Sequence, residues 1–293
     1  MLQIENVTKS FGDRVALDDV SFTVGAGRLT GFVGGNGAGK TTAMRIILGV
    51  LACDSGRVTL DGRPLTPHDR RRFGYMPEER GLYPKMRVHE QLVYLARLRG
   101  VRARDAAARA DELIDRLELT ERRDEPIEKL SLGNQQRAQI AAALVHDPDV
   151  LVLDEPFSGL DPMAVETVLG VLGEFAARGA PVLFSSHQLD LVERLCDDLV
   201  IIAGGAIRAA GSRDELRAAN TGSQWELLSG GDAGWVRDVP GVTVQEFDGD
   251  YVLFEADAAQ AQTVLQRAVT HGIVHSFAAR RPTLTEIFRE VVK

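Results

Sequence analysis

Gly34, Gly39, Lys40 and Thr41, in the stretch GGNGAGKT, satisfy the spacing GxxxxGK[ST]. Glycines let a backbone curl until several N–H groups point at β- and γ-phosphates. A lysine neutralises phosphate charge there, and a hydroxyl ligates Mg2+. The motif is specific only where a strand runs into the loop and a helix leaves it. Here the apolar LTGFV precedes the loop and helix formers follow from Thr41. The complement lies in PDVLVLDEP, whose apolar run ends in acid. Asp154 at that strand tip would hold Mg2+, directly or through water. Glu155, one residue on, is placed to polarise an attacking water as general base. Paired acids at a strand end can be merely a turn, but beside a phosphate loop the chemical reading prevails. Loop and acids together imply a nucleoside triphosphatase.

A further stretch, LSLGNQQR from Leu130 to Arg137, looks like a second, partial anion site. Ser131 and Gly133 at a bend, followed by helix formers, suit an anion held on backbone N–H groups at a helix N-terminus. A chain that already has a complete phosphate loop has no evident use for it.

These groups need a frame. LQIENV, VSFTV and LTGFV read as strands, Thr41 to Leu51 as a helix and RVTL as a short strand. From about His89 to Leu119 apolar residues recur three or four apart, which predicts amphipathic helices. AQIAAALVH is expected as a helix and VLVLD as a strand covered on both faces. Pro162 to Arg178 follows as a helix with proline at its start, then APVLFSS and DDLVIIA as buried strands. This alternation predicts a mostly parallel α/β core. The core ends near Ser212 to Gly222, where a Ser212/Glu215 capping-box pattern gives way to small polar residues. Beyond it QWELLS, VTVQEF, YVLFEA and GIVHSFAA are expected as strands, and DAAQAQTVLQRAVTHG and TLTEIFREVV as helices. That predicts a small α+β domain of ferredoxin-like type. Met44, Met76, Trp225 and Trp235 are read as packing residues.

The 293 residues allow one large domain or two of ordinary size, and 44% hydrophobic residues suffice for a full core. A formal net charge of −8 argues against a broad nucleic-acid-binding face. The two cysteines, Cys53 and Cys196, form no metal or redox motif, and a reduced cytosolic protein is expected. The N-terminus lacks a signal-peptide pattern, and no apolar run approaches the ~20 residues that cross a bilayer. If the protein serves a membrane, it does so as a partner of another chain.

The motifs, taken in order from residue 11 to residue 187, resemble those of the ATP-binding subunits of ABC transporters, over roughly residues 1 to 215. Phe11 matches the aromatic residue on which adenine stacks. Gly34 to Thr42 matches the Walker A loop, with Asn36, Gly37, Ala38, Gly39 and Thr42 as further nucleotide contacts and Gly35 where many members have proline. LSLGNQQR resembles the LSGGQ signature, Asp154 and Glu155 the Walker B acids, SGLD at Ser158 to Asp161 the D-loop, and His187 the switch histidine. Three positions depart from the pattern. Glu78 stands at the Q-loop glutamine, Leu132 replaces a signature glycine, and Asn134 replaces the signature glutamine.

The resemblance implies an α/β P-loop ATPase core with antiparallel β and helical subdomains, plus the small C-terminal α+β domain. The cassette is expected over 1–218, with its helical subdomain at about 89–145, and the accessory domain over 219–293. ATP and Mg2+ are the implied ligands, with Thr41, Glu78 and Asp154 toward the metal and Glu155, His187 and Glu78 in catalysis. Ser131, Gly133, Gln135 and Asp161 would act on the ATP of a second copy, so that two chains sandwich two nucleotides. That answers the puzzle of the second cradle. The remaining partner is an integral membrane permease, with the chain peripheral on the cytoplasmic face and no nucleic acid bound. The tail RRPTLTEIFREVVK resembles that of exporter subunits related to drug-resistance and sodium-extrusion systems. The alternative is an ABC ATPase acting on ribosomes or DNA, which tends to carry two cassettes or a long coiled coil. This sequence has one cassette, and Glu78 to Leu130 sustains no heptad.

Overall fold

A hairpin opens the chain, with Gly12 at φ +57 in the turn between Leu2–Phe11 (β1) and Arg14–Val24 (β2). The structure, a computed structural model, describes residues 1–79, 81–219, 224–280, 283 and 285–288. Leu29–Val33 (β3) is buried at every position and runs through the phosphate loop into Lys40–Ile47 (α1). Gly49 at φ +71 ends that helix short of the expected Leu51. Ser55–Leu60 (β4), Arg63–Pro64 (β5) and Phe73–Met76 (β6) follow.

Three helices come next, Val88–Leu98 (α2), Ala103–Arg116 (α3) and Leu132–Leu144 (α4). The buried stripe of α3, Ala106, Ala110, Leu113 and Ile114, keeps the three-and-four spacing of the sequence. The core then resumes with Val150–Leu153 (β7), Pro162–Ala177 (α5), Val182–Ser186 (β8), Leu189–Leu195 (α6), Asp198–Ala203 (β9) and Ala206–Ser212 (β10).

Two sheets make this core. The first, β2-β1-β4-β5, is antiparallel; the second runs β10-β9-β3-β8-β7-β6 and is parallel except for β10. Met44 and Ile47 of α1 are buried in one apolar cluster with Leu2, Val20 and Phe22 of the first sheet and Phe32, Val152 and Val200 of the second. The parallel strands β3, β7 and β8 all end on one side, which is where α/β sheets bind ligands. Residue 33 pairs with residue 186, so the loop after β3 and the residues after β8 leave the sheet side by side.

The chain divides into two compact units, Met1–Arg213 and Asp214–Val291. Arg213–Ala219 (α7) spans the division. The second unit has Gln224–Ser229 (β11), Thr243–Asp248 (β12), Tyr251–Glu255 (β13), Ala258–His271 (α8) and Val274–Ala279 (β14). Its strands stand in the order β12-β13-β11-β14, all neighbours antiparallel, which is the split βαβ arrangement of a ferredoxin-like domain. Gly234–Asp238, a 3-10 segment, stands in the first crossover, and α8 is opened by an Asp257/Gln260 capping box. Trp225 stacks on Phe277 at 5.4 Å and Trp235 on His271 at 4.8 Å, so both tryptophans pack as expected. Of the expected closing helix TLTEIFREVV, residues 285–288 are helical and Thr283 is not; residue 284 and those from 289 onward lie outside the described residues, as do 220–223 of the expected boundary segment.

The first unit departs from the sequence reading in its small elements. β5, β6 and β10 are not foreseen, because FGYM and AIRAAGS are short or rich in small residues and become strands only beside β7 and β9. α4 starts at Leu132, not after Arg137, so Gly133 lies inside its first turn rather than at a bend. Ser131 caps that turn, its Oγ accepting from the Asn134 N–H.

Candidate active site

The phosphate loop folds as its residue types require. A Cβ on Gly34 would come within 2.4 Å of the Ile202 carbonyl, and Gly39 holds φ +112 against Ala16, so neither tolerates a side chain. Lys40 folds back over the loop and its Nζ donates to the carbonyls of Gly34 at 2.6 Å and Gly35 at 3.2 Å. Its ammonium is thus already poised over the backbone cradle where a phosphate oxygen would fit.

A cavity of about 660 Å3 opens above the loop, within the range that holds a nucleotide-sized ligand. It brings together Phe11, Asn36 to Thr42, Glu78, Asp154, Glu155 and His187, from segments far apart in sequence. Phe11 is half exposed at the tip of the hairpin, with the Lys9 ammonium 5.6 Å from its ring centroid.

Asp154 is buried, and two hydroxyls meet its oxygens. Thr41 Oγ1 donates to Oδ2 at 3.1 Å and Ser185 Oγ donates to Oδ1 at 2.5 Å. Ser185 also accepts from the Glu155 N–H at 2.8 Å, so one buried hydroxyl ties both acids together. Among the described residues no cluster of three or more His, Cys, Asp or Glu side chains could hold a metal by itself. The adjoining Thr41 hydroxyl and Asp154 carboxylate are oxygen donors that fit a Mg2+ taking its other ligands from phosphate and water.

Glu155 takes φ +51, a left-handed conformation that costs a glutamate about 1 kcal/mol or more. The turn points its side chain back into the cavity, and His187 Nδ1 lies 3.0 Å from its Oε1. Below, Gln136 Nε2 donates to the carbonyls of Glu155 and Pro156, at 2.9 and 3.0 Å. Gln139, one turn along α4, donates to the carbonyls of Pro77 and Glu79 on either side of Glu78.

Besides Gly34, four expected ligand residues do not line this cavity. Ser131 caps α4, and Asp161 caps α5 by accepting from the Ala164 N–H at 2.8 Å. Gln135 donates to the carbonyls of Ile127 and Leu130 in its own chain, at 3.1 and 3.0 Å. Gly133 sits against Gly159, and the substituted Leu132 packs over Gly159 as well.

The sequence reading missed Arg14, Ser185, Gln136 and Gln139. Arg14 pairs with Phe11 across the hairpin, lines the cavity, and holds its guanidinium 3.5 Å from where a Cβ on Gly37 would lie. The two-residue turn Gly12-Asp13 was the available signal, since it sets Arg14 directly opposite Phe11. Of the other three, Gln136 lies inside LSLGNQQR without a role of its own there, and Ser185 and Gln139 carry no motif. Both cysteines are free, and burial pushes the Cys196 thiol up to about 12, which keeps it unreactive.

Comparison with known proteins agrees with this geometry. The ABC transporter family model matches residues 17–158, and the model of the C-terminal domain of DrrA1-3-like ATP-binding proteins matches residues 211–292. The uncharacterized ABC transporter ATP-binding protein YhaQ of Bacillus subtilis is 38% identical over 293 residues, covering 100% of this chain and 98% of its own. The Nod factor export ATP-binding protein I of Burkholderia lata is 38% identical over 240 residues, 81% of this chain and 79% of its own. A solved structure of the ATP binding subunit of an ABC transporter superposes with a TM-score of 0.69 at 32% identity, covering 75% of this chain and 92% of that one. The loop, the paired acids and the histidine on parallel strand tips thus stand in a chain of known lineage: it belongs to the ABC transporter ATP-binding proteins.

Proposed function

We propose that two copies of this chain close head to tail over two ATP molecules and drive a separate membrane permease in the export direction. The observation that carries this reading is the split of the site. Phosphate loop, acids and histidine gather in one cavity, while Ser131, Gly133, Gln135 and Asp161 stand outside it. A second copy presenting its own Ser131 and Gly133 would complete the pocket, and a symmetric dimer needs only one such surface. ATP favours the closed pair because it contacts both halves, and hydrolysis removes that bias.

Within each half, Lys40 and the N–H groups of Asn36 to Thr42 bind the phosphates, and Phe11 stacks on adenine. Mg2+ held by Thr41 and Asp154, with Glu78 through an oxygen, would supply positive charge at the phosphate oxygens. Glu155 accepts the proton of the water whose oxygen attacks the γ-phosphorus; the bond to ADP breaks and its electrons remain on the β-phosphate. His187 steers Glu155 through Nδ1, leaving Nε2 for the γ-phosphate.

The permease would dock at Tyr83, Pro84 and Met86, where half-exposed Tyr83 packs edge-on to Tyr94 at 6.1 Å. Among the described residues no helix is long and apolar enough to cross a membrane, which fits a subunit held peripherally on the cytoplasmic face. Export is supported by the likeness to the Nod factor export protein and to the DrrA1-3-like C-terminal domain. Residues 1–218 are assigned to the motor and 219–293 to an accessory role.

The test is Glu155→Gln with Mg-ATP in size-exclusion chromatography with light scattering. A nucleotide-dependent dimer with turnover slowed by orders of magnitude is expected. A monomer at every protein concentration, with ATP demonstrably bound, would refute the shared site.

A further inference from the structure

Two glutamines on α4 hold the site from beneath. Gln136 and Gln139, three residues apart, share one helix face and are 6% and 3% exposed. A glutamine amide offers two N–H donors without charge, and each of these bridges two carbonyls. Gln136 takes those of Glu155 and Pro156, at 2.9 and 3.0 Å. Gln139 takes those of Pro77 and Glu79, at 2.7 and 3.2 Å. One helix face therefore grips the backbone at Glu155 and on both sides of Glu78.

Both gripped segments lie just past strand ends, where the Glu155 N–H also donates to Ser185 Oγ. Glu155 is in a left-handed turn past the end of β7, and Glu78 lies on the segment past the end of β6. The helix that grips them is a single 13-residue rod whose N-cap is Ser131. Hydrogen-bonded helices move as units, so a push at the cap reaches both glutamines.

We propose that Gln136 and Gln139 are positioning residues that fasten Glu155 and Glu78 to α4, so that movement of Ser131 shifts both carboxylates together. The nucleotide that engages Ser131 is the partner's, so each copy's hydrolytic groups are set by the other copy's ATP. The proposal rests on the reading of Glu155 and Glu78 as hydrolytic groups and of Ser131 as the cross-dimer contact.

The test uses the full-length chain with Mg-ATP and the variants Gln136→Met and Gln139→Met, which keep length and remove the donors. Phosphate release is followed across ATP concentrations and in single turnover, and affinity by titration with a fluorescent ATP analogue. Each variant is also combined with the change at its carboxylate, Glu155→Gln or Glu78→Gln. Turnover is expected to fall at least about tenfold, as for a catalytic group displaced by ~1 Å, with affinity within about twofold. Gln136→Met should cost nothing further on Glu155→Gln, nor Gln139→Met on Glu78→Gln, because each pair acts as one unit. Losses that add in full, or turnover equal to wild type, overturn the proposal. Gln136→Glu and Gln139→Glu, similar in shape but acceptors only, replace any methionine variant that fails to bind nucleotide. A wild-type chain without ATPase activity would instead sink the functional reading beneath it.

Discussion

His187 Nδ1 stands 3.0 Å from Glu155 Oε1, joining the residue after β8 to the residue two past β7. His187 is the more exposed partner, so it can reach a ligand while holding the acid.

His187→Ala should slow phosphate release by about 10²-fold, the scale of a lost acid–base or orienting contact, and change ATP affinity little. Steady-state turnover beside nucleotide titration checks it. Near-normal turnover would show that Glu155 needs no help from the ring.

Ser185→Ala removes the hydroxyl that donates to Asp154 and accepts from the Glu155 N–H. A buried N–H left unpaired costs about 1–3 kcal/mol, so chemical denaturation should show a loss of that size. Turnover should drop as well, since both acids lose an anchor. Ser185→Cys, which restores a weak donor, should recover less than half of either loss.

Arg14→Ala should weaken ATP binding about fivefold, which corresponds to ~1 kcal/mol for an exposed charge near phosphate. The effect should shrink as salt rises, because the contact is open to solvent. Isothermal titration at two ionic strengths decides it, and an unchanged affinity at low salt would remove Arg14 from the site.

Burial, reinforced by the Arg99 charge, lowers the His146 pKa to about 4. The unfolded chain protonates this ring near 6.5 while the folded chain keeps it neutral. Its contribution to stability is therefore whole above that pH and is lost as pH falls toward 4. Melting of His146→Gln should depend less on pH across this window than melting of the wild type. Parallel curves would mean that the folded chain protonates this ring as readily as the unfolded chain does.

The sequence by itself determined what is local. GGNGAGKT between an apolar strand and a helix builds its own cradle, because the glycines at residues 34 and 39 permit backbone that side chains forbid. VLVLDEP likewise declares a buried strand with acids at its tip, and the C-terminal strands follow from their apolar runs and turn residues. What only the tertiary structure decided is convergence. Glu78, Glu155 and His187 meet because parallel register sets Val33 beside Ser186 and Met76 beside Leu153, pairings that no local pattern encodes. Arg14 enters through a hairpin turn, and Ser185, Gln136 and Gln139 through carbonyls and N–H groups left over where strands end. A glutamine in a helix looks alike whether it faces water or two orphaned carbonyls, and only burial beside them tells the cases apart.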